Sequence, residues 1–367
     1  MMTKIFIKLF YYLNTIDLTN YIIRNYEILH HMEKWPRPCM KDYMGMPSFS
    51  PLDLNTLFQT EFTAGASKRV APTVLALAGG GDGVGKTILA TLISLELARS
   101  GYETVLVDVD FASSRLLDRM AQKNPEKNLH RFLEGRNQDI NALTVPTVFR
   151  HLRLITASPV FVTFGHILLL LKQKLAQQLR HLQAHYLVLD LGAGSTFAHL
   201  DFFLNADHPL IVTTCEKESL LEAYELLRVG QSRKLQKAAQ DWPELYQLFQ
   251  QCGDLSKAEA SITVNEFLLQ HAKTDSRFTA LIQNSLTALR PAWILNKRRR
   301  EDDVERAYIL PILSREILNL PLQKWGEIRY EDRIKMASQS GNSELLAKEC
   351  RAGEEVLILL KKNLPLP

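Results

Sequence analysis

Several things that would each point to a function are scarce in this chain. Its 367 residues hold only four cysteines, Cys39, Cys215, Cys252 and Cys350, with no C-x-x-C pair among them. That spacing argues against a zinc knuckle, an iron–sulfur site or a disulfide framework, and it fits a reducing, cytoplasmic setting. No apolar run reaches the roughly 18 residues a membrane span needs. The excess of one charge is small, 44 Lys and Arg against 40 Asp and Glu, a formal net charge of +4. This is too little to argue for a polyanion, and no specific nucleic-acid binding is expected. The ten histidines are scattered, and there is no internal repeat or low-complexity tract. The opening MMTKIFIKLFYYL is apolar but interrupted by Lys8, and no small-residue cleavage site follows, so no signal peptide is expected. What remains is an ordinary soluble composition, 46% hydrophobic and 23% charged, long enough for one large domain or two modest ones.

Residues 1–68 differ from the rest. They are rich in Tyr, Phe and Met, with Pro36, Pro38, Pro47 and Pro51 beside a Ser/Phe-rich loop. A helix from Ile5 to Met32 and a linker from Trp35 to Pro51 are expected. No chemical motif appears there. A functional arm and an overlong start, with translation beginning further in, both stay open.

From Val70 the pattern becomes alternating strand and helix, which predicts a doubly wound α/β fold with a mostly parallel sheet and helices on both faces. Expected strands are TVLALA, Thr104–Val109, Leu152–Thr156, Tyr186–Leu191, His208–Thr213, Ala292–Leu295 and Ile317–Leu320. Expected helices are Ile88–Arg99, ended by Gly101, then one near Ser114–Met120, a short one at Asn128–Glu134, Ile167–Ala184 and Glu218–Ala239. Residues 241–288 read as a polar helical insertion. The core domain is expected over 69–341, followed by an amphipathic C-terminal helix and tail over 342–367.

The stretch that organises the chain is TVLALAGGGDGVGKT, Thr73 to Thr87, in which five of the seven residues from Gly79 to Gly85 are glycine. Gly80 to Thr87 fits G-x-x-x-x-G-K-[ST] at every fixed position. A loop of this kind points successive backbone N–H groups at phosphate oxygens, and side chains there would block the approach. Gly80, Gly81, Asp82, Gly83, Val84, Gly85, Lys86, Thr87 and Ile88 are therefore the candidate nucleotide cradle. Lys86 supplies a point charge for the outer phosphates and the Thr87 hydroxyl can ligate Mg²⁺. The N-terminus of the following helix adds N–H groups and dipole.

Two more strand ends carry acids. Asp108-Val109-Asp110 closes one, where one carboxylate can hold Mg²⁺ through water and the other can orient an attacking water. Asp190 closes YLVLDLGAG, a place for an outer-sphere Mg²⁺ partner, and Gly192 and Gly194 let the backbone pass close to a γ-phosphate. AWILNK puts Asn296 at a further strand end, where its amide can read a base edge. Guanine-binding proteins use N-K-x-D; Arg299 stands at the fourth position here, which favours adenine.

Together GGGDGVGKT, VLVDVDFASSRLL, NLHRFLEGR, LVLDLGAGSTFAHLDFFLNAD, IVTTCEKESLLEAYELLR and ILNKRR resemble the MinD/ParA family of P-loop ATPases, most of all its MinD-like branch. The resemblance covers about Val74 to Gly341. It implies an ATP and Mg²⁺ site, a homodimer formed across bound ATP, and recruitment of a protein partner or surface by the ATP-bound form. It places Lys86 and Thr87 on phosphate and Mg²⁺, Asp110 on the attacking water, Asp190 on Mg²⁺ and Asn296 on adenine, which leaves Asp108 as the strand-end carboxylate that can hold Mg²⁺ through water. No other metal is expected.

One departure stands out. The family's second lysine, early in the loop, is replaced by Gly81, and the glycine after it by Asp82. Loss of a cation removes transition-state stabilisation, and a carboxylate beside a polyphosphate opposes binding unless it faces solvent or is offset by Arg115 or another cation. Slow hydrolysis with binding retained is expected. A hydrolysis-deficient scaffold and another P-loop enzyme, such as a small-molecule ligase, are the alternatives.

Two weaker signals remain. Lys297-Arg298-Arg299-Arg300 is followed by Glu301-Asp302-Asp303, and internal pairing is favoured over a contact with DNA or membrane. The last helix is apolar on one face, but Glu344, Glu349, Glu354 and Glu355 would be repelled by an anionic leaflet. Packing on the domain is favoured over a membrane contact, so a cytoplasmic protein is expected, with a peripheral place at the inner membrane face as the lesser alternative.

Overall fold

The computed structural model describes residues 71–109, 129, 139–156, 175–192, 197–239, 289–300, 304–340 and 350–366. The chain divides into two compact units, Met1–Arg69 and Val70–Pro367, and the described residues all belong to the second. The readings made above for residues 1–68, Ser114–Met120, Asn128–Glu134 apart from Leu129, and the 241–288 insertion lie outside them.

Among the described residues, eight strands form one sheet in the order β3-β4-β2-β5-β1-β6-β7-β8. They are β1 (Thr73–Gly79), β2 (Thr104–Asp108), β3 (Val145–Pro146), β4 (Leu152–Ile155), β5 (Tyr186–Asp190), β6 (His208–Thr213), β7 (Ala292–Arg298) and β8 (Gln323–Arg329). All pairs are parallel except β3 with β4. The central strands read as unbroken apolar runs because both faces are covered. In β1, Val74, Ala76 and Ala78 join the core on one face, while Leu75 and Leu77 join that on the other.

Helix α1 (Lys86–Arg99), α6 (Asp332–Ser340) and α7 (Arg351–Asn363) cover one face. On the other lie α2 (Phe197–Leu204), α3 (Lys217–Ala239), α4 (Val304–Ala307) and α5 (Ile309–Glu316). Helix α1 is buried almost all round, from Lys86 to Ala98. It is clamped between β1, β2, β5 and α7, and a helix in that position needs apolar residues on every side.

Two expectations are corrected. Ile317–Leu320 is not a strand. It is the turn that ends α5, with Asn319 at φ 51° and Ser314 Oγ donating to Leu320 O at 2.6 Å. Leu318 and Leu320 are buried there as anchors rather than as a pleated face. The edge strand is β8, whose QKWGEIR sequence has only Trp325 and Ile328 buried. The C-terminal helix expected within 342–367 does not run through Cys350 either. Cys350 is extended (φ −142°, ψ 153°) and caps α7 at Arg351, its Sγ accepting from Gly353 N. Such a cap residue lies outside helical φ/ψ, so α7 starts afresh there.

The apolar face of α7 is spent on the domain. Ala352, Gly353, Val356, Leu359 and Leu360 are buried, Leu359 lies over Gly326, and Glu355 pairs with Arg329. Outward it presents Ile358, Lys361 and Lys362. Among the described residues no helix is long and apolar enough to cross a membrane.

Two predictions follow from this packing. Leu360→Ala empties a wholly buried position and is expected to cost about 2–5 kcal/mol, read as a lower urea midpoint at unchanged slope. At the start of β6, burial pushes the His208 imidazole below its ordinary value of 6.5, against a smaller opposing pull from Asp207; its ring lies 5.3 Å from that of Trp325. The unfolded chain then binds the proton more readily. Stability from this group is present above pH 6.5 and is lost as pH falls through the lowered folded value. His208→Gln is expected to flatten that segment of the stability–pH curve in urea melts at stepped pH.

Candidate nucleotide site

The order of the strands fixes the place of the site. From β1 the chain moves to β2 on one side of the sheet, and from β5 it crosses over β1 to β6 on the other. The carboxyl end of β1 is thus a point where the winding reverses and the flanking connections diverge, leaving a crevice. Residues 80–85 occupy it, between β1 and the N-terminus of α1.

The loop is held from below by Val84 and Ile88, both buried in the core under α1. Gly80 N donates to Val212 O of β6 at 3.1 Å, and Leu89 N donates to Gly85 O at 2.9 Å as the first helical bond of α1. Gly85 caps the helix at φ 97°, a left-handed conformation, with no side-chain cap and no acidic residue in the first turn. The helix N-terminus therefore keeps its partial positive charge for an anion. A Cβ on Gly80 would overlap the carbonyl oxygen of Ser219, so α3 rides directly on the loop. Ser219 is itself fixed, its Oγ bonding Thr213 Oγ1 at 2.8 Å and accepting from Thr214 N at 3.0 Å.

Three carbonyls of the loop are taken by side chains. Lys86 Nζ donates to Gly81 O, Lys297 Nζ to Gly83 O, and Asn296 Nδ2 to Val84 O at 2.8 Å. Lys86 is 5% exposed and Asn296 8%. One end of the Asn296 amide is thus committed to the loop, which leaves its oxygen as the group able to face a base.

Asp108 and Asp190 stand side by side. They are register partners at the ends of β2 and β5, and Asp190 is also level with Leu77 of β1. Both are buried, at 0% and 1% exposure. Asp190 Oδ1 accepts from Gly192 N at 3.3 Å, with Gly192 at φ 65°. Thr87 lies in the first turn of α1. Hydroxyl and carboxylate oxygens gathered at one edge are a donor set suited to Mg²⁺, which takes one or two carboxylates and completes its shell with phosphate and water. Among the described residues, no group of three or more His, Cys, Asp or Glu could hold a metal alone. Asp110, expected to orient a water, Gly194 and Arg115 lie outside the described residues.

Position 81 has a structural reason to be glycine here. Its φ is +90°, which strains any residue with a side chain; a Cβ would also meet the free end of the Glu222 side chain from α3, which can turn aside. Asp82 is exposed and faces solvent, which lessens its opposition to a bound anion. Sequence reasoning missed Ser219, Glu222 and Lys297. The first two sit three apart and so share a helix face, and a helix that follows a strand of this edge must begin beside the loop.

The basic run is mostly consumed within the fold. Arg298 Nε lies 3.2 Å from Glu327 Oε2 and Arg299 lies 4.4 Å over the Tyr330 ring. Its partners come from β8 and the residue after it; Glu301, Asp302 and Asp303 are outside the described residues.

A glycine-rich loop ending in Gly-Lys-Thr at the switch point of a parallel sheet, flanked by two buried aspartates, defines a P-loop nucleotide-binding protein. The family model described as the CobQ/CobB/MinD/ParA nucleotide binding domain matches residues 75–344. The chain belongs to this family, and its fold is that of the MinD/ParA P-loop ATPases. Among solved structures it is similar to the septum site-determining protein MinD of Pyrococcus horikoshii OT3 in complex with Mg-ADP, with 17% identity and TM-score 0.52 over 80% of this chain and 97% of that one. It is similar also to the cell division ATPase MinD of Pyrococcus furiosus, at 17% and 0.52 over 79% and 97%. Apo McdA of Cyanthece matches at 15% and 0.51 over 78% and 99%. At such identities the likeness speaks for the fold alone. No curated protein matches the chain in sequence.

Gly81 and Gly83 make a controlled comparison. Both have left-handed φ, at 90° and 75°, but only Gly81 faces a neighbour; a Cβ at Gly83 meets nothing within 4 Å. Alanine at either is expected to cost about 1–2 kcal/mol from backbone strain; at Gly81 the Glu222 carboxylate is the free end of a flexible side chain and can turn aside at little further cost. The two losses, read from urea melts, are therefore expected to be about equal, in wild type and in a Glu222→Ala background alike.

Proposed function

We propose that the chain is an ATP- and Mg²⁺-binding switch of the MinD/ParA kind, in which ATP joins two copies into a dimer and slow hydrolysis separates them. In this reading the ATP-bound form positions or regulates a cellular assembly through a protein partner. The observation that carries it is the loop 80–87 at the switch point, with Lys86 inside it and the Asp108–Asp190 pair on the adjoining strands. The MinD of Pyrococcus horikoshii, of similar fold, is a complex with Mg-ADP, which supports the nucleotide and the metal.

The proposed roles follow from position. The backbone of Gly80 to Ile88 cradles the phosphates, and the Lys86 ammonium shifts from the Gly81 carbonyl to the outer phosphates. Thr87, Asp108 and Asp190 hold Mg²⁺, which when bound neutralises phosphate charge. Asp110 orients the attacking water. The Asn296 carbonyl oxygen accepts from the exocyclic amine of adenine. The two-copy arrangement and the partner rest on the family reading, as do the domain limits of 69–341 with a helical insertion and a C-terminal helix.

A second reading, a scaffold that binds ATP without hydrolysing it, is favoured by one observation. The place of the second lysine holds a left-handed glycine beside the Glu222 carboxylate of α3, an anion where a cation would assist phosphoryl transfer.

Calorimetric titration with Mg-ATP, together with phosphate release and light scattering, tests both. Wild type is expected to bind, and Lys86→Ala to bind roughly 10- to 100-fold more weakly, the equivalent of about 1.5–3 kcal/mol for a hydrogen bond to a charged group. Equal binding by the two proteins sinks the nucleotide site. Release above the Lys86→Ala blank, with an ATP-dependent rise in mass, supports the switch. Binding without release selects the scaffold.

A further inference from the structure

In a regular strand successive side chains point to opposite faces, so neighbours cannot both reach one loop. Asn296 and Lys297 do so, reaching Val84 O and Gly83 O. The means is a bulge. Leu295 pairs with Glu327 and Arg298 with Arg329, so β7 carries one residue more than β8 in this interval. Within that interval Lys297 adopts φ 55°. Bulges of this sort re-aim a side chain beside a site.

Lysine is a poor occupant of left-handed backbone. Glycine takes it freely, and asparagine is the common second choice. Strain held at one residue is a reason to look for use of its side chain. Here the side chain has one. Its ammonium crosses from the end of β7 to the Gly83 carbonyl, although the residue is exposed and its long stem must be ordered to get there.

From these observations we infer that Lys297 is a positioning residue that braces the phosphate loop, and that the β7 bulge exists to aim it. A peptide plane that presents its N–H to a phosphate turns its carbonyl the other way, and a donor on that carbonyl fixes the plane. Asn296 performs this for Val84 and Lys297 for Gly83. The brace also brings a positive charge to the rim of a loop whose early lysine is replaced by Gly81. The inference rests on the nucleotide-binding reading for its consequence, but not for its geometry.

The test uses full-length wild type, Lys297→Gly and Lys297→Arg. Amide exchange is followed in the nucleotide-free proteins at Gly80 and Leu89, whose N–H groups are bonded at the two ends of the loop. Affinities for ATP and for inorganic tripolyphosphate are measured beside it. Lys297→Gly relieves the backbone, so its Tm should equal or exceed that of wild type. Its loop amides should nevertheless exchange about three- to tenfold faster and both ligands bind about three- to tenfold more weakly, the span of one charged hydrogen bond discounted for exposure. Lys297→Arg should restore most of both.

Exchange within about twofold of wild type in Lys297→Gly overturns the brace. So does a loss confined to ATP with tripolyphosphate unchanged, since that places the side chain on the base. Should wild type bind neither ligand, the nucleotide reading fails, and the exchange comparison still decides whether Lys297 holds the loop.

Discussion

A loop built to receive phosphate must show its amide hydrogens to the ligand, and this constrains everything around it. Each peptide plane so turned directs a carbonyl outward, toward protein that has to supply a donor or leave a polar group stranded. In this chain the donors come from Lys86 within the loop and from Asn296 and Lys297 at the end of β7. The loop is thus not a free glycine strap. It is held at its base by Val84 and Ile88 in the core, on one flank by β6 and the first turns of α3, and on another by the bulged end of β7.

The sheet order follows from the same need. With β1 central, the strands beside it end at the level of the loop, and β5 places Asp190 next to Leu77 and Asp108 next to Asp190. Two carboxylates buried side by side are costly when no cation attends them. That cost has to be met by donors from the surrounding protein or by a cation. The apolar runs that build these strands, covered on both faces, supply the rigid frame that holds the acids at a fixed depth.

Much of this could be read before any coordinates. The short unbroken apolar runs, the glycine spacing, and aspartates closing those runs are local signals, and β1, β2, β5 and β6 fall within one residue of their expected bounds. What failed was amphipathic and edge structure. Ile317–Leu320 looked like a strand because Leu318 and Leu320 alternate, but that alternation arises from a turn whose two leucines are both anchored in the core. The true edge strand, β8, is half exposed and lacks the run of β-branched residues that would announce it. Lys297 lay in a basic run, where the acids that follow suggested internal pairing; its reach to Gly83 O depends on a bulge that no local pattern encodes. Glu222 could not be placed because its contact with Gly81 joins residues far apart in sequence.

That last contact changes how the departure in the loop should be understood. Read from the motif alone, Gly81 is a lysine lost, a single deletion of charge that a single substitution would reverse. In the fold, position 81 is left-handed and Glu222 fills the space a side chain would enter. A lysine there would have to overcome the backbone preference and displace a carboxylate, although it would then lie beside an opposite charge. The two residues are therefore one feature, and the electrostatics of the loop are set jointly by Gly81, Glu222 and Lys297. In the loop as it stands, Lys86 supplies the cation of the motif itself, and Lys297 brings a second ammonium to the Gly83 carbonyl from the end of β7.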